Sequence, residues 1–164
     1  MSQTQNQAEL EGLIRIETDL NPNELECRVL YATREVIARL DDILDEVRPL
    51  KANARKRISG RQTPREQLDD IFHQFISGNP MNSYPQAHIM QPPEFAVWEL
   101  KSDDLRVFGW FWKKGTFIIS DIVCAKKTKT LKLYDEFRDR AISLRKLLRL
   151  DEPAYMSGGY DDVF

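Results

Sequence analysis

The 164-residue chain has few cysteines, few histidines and no long apolar run, and each scarcity excludes something. Cys27 and Cys124 sit far apart in apolar segments without a C-x-x-C spacing, so a zinc module or disulfide framework is not expected, and both read as reduced core residues. His73 and His88 are isolated, with no orienting partner visible in sequence, and read as surface or satisfied polar residues rather than catalysts. No stretch approaches bilayer-spanning length, and Met1 to Gln7 is polar and uncharged, unlike a signal peptide. The expectation is a cytoplasmic protein with no membrane partner. At 41% hydrophobic and 30% charged residues, the chain suits one globular domain with a core that needs no staple.

Net charge is −2, which argues against a general polyanion binder, but the mean conceals an asymmetry. Lys101 to Arg149 carries 13 Lys/Arg against 6 Asp/Glu, and the remainder carries 11 against 20. Any attraction for polyanions belongs to the C-terminal half.

Along the chain, residues 1–23 form an N-terminal appendage, weakly amphipathic through Leu10, Leu13, Ile14 and Ile16. A main domain over 24–152 follows, and then a tail, 153–164, expected to be mobile. Cys27, Val29 and Tyr31 alternate as in a strand, although a helix from Leu25 also satisfies the spacing. Val36, Ile37, Leu40, Ile43, Leu44 and Val47 follow a helical period, with Thr33 as N-cap and Pro49 as the stop. Lys51 to Arg61 reads as a solvated charge run. Thr63-Pro64-Arg65-Glu66 is a capping box opening a second helix that buries Leu68, Ile71, Phe72, Phe75 and Ile76. Asn79 to Pro93 holds four prolines and is expected to be a surface loop.

Beyond Glu94 the period becomes two. Phe95–Leu100, Leu105–Trp112 and Thr116–Ala125 read as an antiparallel meander, turning at Lys101-Ser102-Asp103-Asp104 and at Lys113-Lys114-Gly115. A long helix from Thr130 to Leu150 follows, with Leu133, Tyr134, Phe137, Ala141, Leu144, Leu147 and Leu148 on one side. The fold class is therefore α+β. It comprises a meander packed against two helices on its N-terminal side and one long C-terminal helix, with an extra N-terminal segment.

Ala125-Lys126-Lys127-Thr128-Lys129-Thr130 falls where the last strand hands over to that helix. Each cation at a helix start costs about 0.3–1 kcal/mol against the macrodipole, so a purely structural account explains the cluster poorly. The same geometry gathers N–H and ammonium groups into a phosphate site.

With Val97-Trp98-Glu99-Leu100, Leu105-Arg106-Val107-Phe108 and this lysine cluster in that order, the chain resembles the RelE/ParE toxin superfamily, in particular its HigB-like, phage-derived branch. The resemblance covers residues 26–150 and rests on 97–130. It implies a RelE-like fold and the toxin of a bacterial toxin–antitoxin system, a ribosome-dependent mRNA endonuclease silenced by a cognate antitoxin, with no metal or cofactor. It puts the catalytic roles on Arg106, Lys126, Lys127 and Tyr134. Lys101, Lys113, Lys114, Lys129 and Trp110 become candidate RNA contacts. Where the family carries lysines on the first meander strand, this chain has Val97 and Glu99. That departure favours the alternative, a non-catalytic phage or mobile-element protein that binds protein or nucleic acid. A topoisomerase-directed role, as in some ParE relatives, is a third reading.

A three-residue loop at Lys113-Lys114-Gly115 sets Arg106 opposite Ile122 and Lys126 opposite Ser102, so that Arg106 and Lys126 share a face. Phe108, Trp110 and Trp112 on that face either stack bases or form core beneath the last helix, and core is favoured because three large rings rarely stay exposed. Asp121 interrupts an apolar strand as a buried acceptor for a helix or backbone group, or as a catalytic carboxylate. Tyr134 serves acid–base chemistry if its hydroxyl points toward Lys127, and packing otherwise.

Overall fold

The alternating apolar residues between Trp98 and Cys124 build three consecutive antiparallel strands. The computed structural model, which describes residues 2–46, 62–83 and 85–164, sets them inside a six-stranded mixed sheet. The elements are α1 (Gln3–Leu10), β1 (Leu13–Ile16), β2 (Val29–Thr33), α2 (Arg34–Ala38), α3 (Leu40–Glu46), α4 (Pro64–Ile76), β3 (Gln86–Ile89), β4 (Trp98–Lys101), β5 (Leu105–Lys113), β6 (Thr116–Cys124), α5 (Ala125–Thr130), α6 (Tyr134–Leu147) and α7 (Tyr160–Val163). Strand order is β1-β2-β6-β5-β4-β3, antiparallel except where β2 runs parallel to β6.

The helix signals in the sequence correspond to real caps. Thr63 Oγ1 accepts from Glu66 N–H while the Glu66 carboxylate accepts from Thr63 N–H, completing the capping box of α4. Thr33 caps α2 through Val36 N–H. The expected continuous helix breaks at Arg39 into α2 and α3; Val47, Pro49 and the charge run Lys51 to Arg61 lie outside the described residues.

Each sheet face carries its own core. One buries Leu68, Ile71, Phe75, Leu100, Val107, Phe111 and Ile122 beneath α2, α3 and α4. The other buries Trp110, Trp112, Ile118, Phe137 and Ala141 beneath α1 and α6. A fully buried Leu, Ile or Phe gives about 1.5–3 kcal/mol relative to exposure, so both faces contribute heavily.

Several expectations are corrected. The proline-rich stretch Asn79 to Pro93 contains β3, whose four residues pair with β4 as an edge strand between the prolines. The appendage supplies β1, paired antiparallel to β2. The tail is packed rather than loose: Val163 is fully buried and its carbonyl accepts from Gly115 N–H, while Phe164 meets the rings of Phe75, Trp98, Phe111 and Tyr160. The long C-terminal helix begins at Tyr134 rather than Thr130 and ends at Leu147, the lysine cluster before it forming the separate short helix α5 across a turn in which Lys132 adopts φ 51°, and Leu147 is 78% exposed instead of core. Cys27 is exposed and Cys124 half-buried, both free.

The register also differs. Lys113 pairs directly with Thr116 across a tight turn in which Gly115 has φ 70°. A bulge between Phe108 and Gly109 then shifts the pairing, so Arg106 opposes Val123 rather than Ile122. Gly109 is obligatory at that bulge, since a Cβ there would lie 2.0 Å from the Ile118 carbonyl oxygen. Lys126 belongs to α5 and has no strand partner, because β6 ends at Cys124.

Candidate active site on the helix α6 face

The three-residue turn between β4 and β5 fixes a second register, Glu99 opposite Phe108 and Lys101 opposite Arg106. Directly paired residues project to the same face. Extending the ladders outward gives two rows across the sheet, His88–Glu99–Phe108–Asp121 and Gln86–Lys101–Arg106–Val123. Phe108 sits beneath α6, stacked on Phe137 at 5.1 Å and met edge-on by Tyr134 at 6.2 Å. The aromatic row thus ends in a band where polar groups flank one covered ring.

On the β4–β5 side of that ring, Glu99 and Arg106 are only 6% and 5% exposed. Glu99 Oε1 pairs with Lys101 Nζ at 3.0 Å, while its Oε2 is buried without a hydrogen-bond partner. Arg106 Nη1 donates to the carbonyls of Ser102 (2.6 Å) and Leu105 (2.8 Å), and its Nε is likewise buried without a partner. A buried acceptor and a buried donor, both unmet on neighbouring strands, are uncommon in a settled core and concentrate at functional sites.

On the β6 side, Asp121 accepts from Arg140 Nη2 at 2.9 Å and Nε at 3.2 Å. Of the two roles open to it, this is the buried acceptor for a helix residue. Burial pushes its carboxyl above the ordinary range, opposed by Arg140 and Arg39 and reinforced by Glu136. Lys127 lines a groove of about 370 Å³ beside this pair, together with Thr33, Arg39 and Glu136.

The sequence candidates therefore separate. Arg106 comes together with Lys101 and with Glu99. It shares no hydrogen bond, ion pair or groove with Lys126 or Lys127 among the described residues; its link to α5 runs through the turn, where the Asp104 carbonyl accepts from Ala125 N–H at 2.8 Å. Lys126 and Lys129 are exposed on α5. Trp110 is fully buried and its indole N–H donates to the Ala154 carbonyl, so it is core rather than an RNA platform. Lys113 and Lys114 lie at the far end of β5, where they reach Thr4 Oγ1 (2.9 Å) and the Asp161 carbonyl (3.4 Å). Tyr134 is half-buried against Phe108. Sequence reasoning missed Glu99 and His88 as neighbours; the turn length could have revealed Glu99, because it puts 99 and 101 on the face of 106 and 108.

A separate cleft of about 600 Å³ is lined by Glu17, Asp19, Glu66, Asp69, Asp70 and His73, the wrong charge for a phosphate. Among the described residues no helix is long and apolar enough to cross a membrane, and no group of three His, Cys, Asp or Glu side chains could hold a metal ion. No family model, curated protein or solved structure matches the chain.

Proposed function

We propose that this α+β protein is a RelE-like toxin, a metal-independent and ribosome-dependent mRNA endonuclease of the cytoplasm, held silent by a cognate antitoxin. The observation that carries the reading is the juxtaposition of Glu99, Lys101 and Arg106 on adjacent strands, with one carboxylate oxygen and one guanidinium nitrogen unmet. Glu99 Oε2 takes the proton of a ribose 2′-OH. The 2′ oxygen attacks the adjacent phosphorus, forming one P–O bond as the bond to the 5′ oxygen breaks. Lys101 and Arg106 offset the charge gathering on the phosphoryl oxygens. Tyr134, packed on Phe108 in the same band, returns a proton to the leaving oxygen. Lys126, Lys127 and Lys129 on α5 hold flanking phosphates. The order strand, helices, meander, C-terminal helix supports the same family.

Induction in a bacterium, with mapping of messenger 5′ ends, tests this. Growth arrest and new cleavage ends are expected from the wild-type chain and from neither Glu99→Gln nor Arg106→Ala. Arrest that persists in both variants overturns the assignment.

One observation favours a second reading, a non-catalytic binding protein: Arg106 is closed in, 5% exposed and with Nη1 taken up by two backbone carbonyls. Under that reading induction of the wild-type chain leaves growth unchanged.

A further inference from the structure

Gln67 of α4 is 1% exposed, and every hydrogen-bonding position of its amide is filled. Its Oε1 accepts from Ser102 Oγ (2.8 Å) and from Asp104 N–H (2.9 Å); its Nε2 donates to Asp104 Oδ2 (2.7 Å) and the Gln62 carbonyl (3.2 Å). Three of these four bonds grip the β4–β5 turn. That turn is closed by Ser102 N–H on the Leu105 carbonyl (3.1 Å) and Leu105 N–H on Ser102 Oγ (3.2 Å). The carbonyls of the same two residues, Ser102 and Leu105, hold Arg106 Nη1, and the Asp104 carbonyl holds the first residue of the lysine helix. A helix packed on one face of the sheet is therefore tied, through one turn, to Arg106 on the other face and to the first residue of α5.

We propose that Gln67 is a positioning residue that fixes the Arg106 guanidinium and the start of α5 relative to each other. The proposal deepens the ribonuclease reading and rests on it for its catalytic consequence, but its geometric content stands apart. A glutamine that only filled space would be replaceable by methionine. A clamp is not, because the turn loses the three bonds that tie it to α4.

The test compares the full-length wild type with Gln67→Met, and with Ser102→Ala, which cuts the same relay one bond further on. In the folded wild-type chain the Arg106 guanidinium gives resolved, slowly averaging Nη resonances, assigned by their loss in Arg106→Lys. In both relay variants these resonances collapse, and the Ala125 amide exchanges with solvent at least ten-fold faster, while far-ultraviolet circular dichroism is unchanged. Messenger cleavage falls on the order of 10²-fold in kcat with little change in KM. Unchanged Arg106 resonances and Ala125 exchange in a folded Gln67→Met protein overturn the clamp. If the wild-type chain cleaves no RNA, the ribonuclease reading falls, and the resonances and exchange rates alone decide the clamp.

Discussion

The two faces of the sheet each carry an apolar core but differ in how completely they are closed. Beneath α4, the side chains of Leu100, Leu105, Val107, Phe111 and Ile122 meet Leu68, Ile71 and Phe75 with no charged residue among them. Beneath α6, Trp112, Trp110 and Ile118 give way further along the same strands to Arg106 and Asp121, with Glu99 on the neighbouring strand. Among the described residues, Glu99, Arg106 and Asp121 are buried on the second face, and a carboxylate oxygen and a guanidinium nitrogen there are left without partners on adjacent strands. Burial of that kind lowers stability unless another requirement maintains it. The contrast separates the face that holds the fold from the face available for chemistry.

The largest effect expected from breaking the contrast is on the closed face. Phe75→Ala removes a fully buried ring that meets Phe111, Phe117 and Phe164, and should cost about 3–5 kcal/mol in urea denaturation. Deleting residues 160–164 takes away Val163, Phe164 and the Tyr160 hydroxyl that accepts from Met81 N–H, with an expected loss of about 3 kcal/mol. Glu99→Gln, on the other face, should change stability by about 1 kcal/mol or less while removing growth arrest, since the amide keeps a hydrogen bond but takes no proton.

Asp121 sharpens the comparison through pH. Its folded-state carboxyl is raised by burial, so the folded protein binds that proton more tightly than the unfolded chain does. The associated stability is present below the unfolded value and lost as pH rises through the folded one. The stability of wild type relative to Asp121→Asn should therefore increase as pH falls from neutral into the carboxylate range, measured by urea titrations at several pH values. The smallest effect belongs to Glu24, whose carboxyl is lowered by the Asn21 N–H and by His73, 2.8 Å away. Its contribution is present above the unfolded value and lost as pH falls through the folded one. Glu24→Gln should flatten the acid limb of the stability curve slightly.

Much of the frame was legible because its signals are local. The capping box at Thr63 and the apolar stripe of α4 each depend on residues within a turn or two, and each appears where expected; β5 also forms where expected, although it is buried on both faces rather than alternating. The site was legible only in pieces. Arg106 was identifiable as an unusual cation in an apolar strand, but its neighbours depend on pairing. A β6 that ends one residue earlier than its alternation suggests leaves Lys126 out of the strand, and the β4–β5 register sets Lys101 as the cation opposite Arg106.

By itself the sequence determined the three meander strands β4 to β6, where α2 and α4 begin and which side of α4 is buried, because hydrophobic period and capping act over a few residues. Tertiary structure decided the rest: that β3 adds an edge strand among prolines, that the last residues seat Val163 in the core, and that Glu99 faces the Arg106 side of the sheet. These depend on contacts between distant residues, whose energies appear only once the chain has closed on itself.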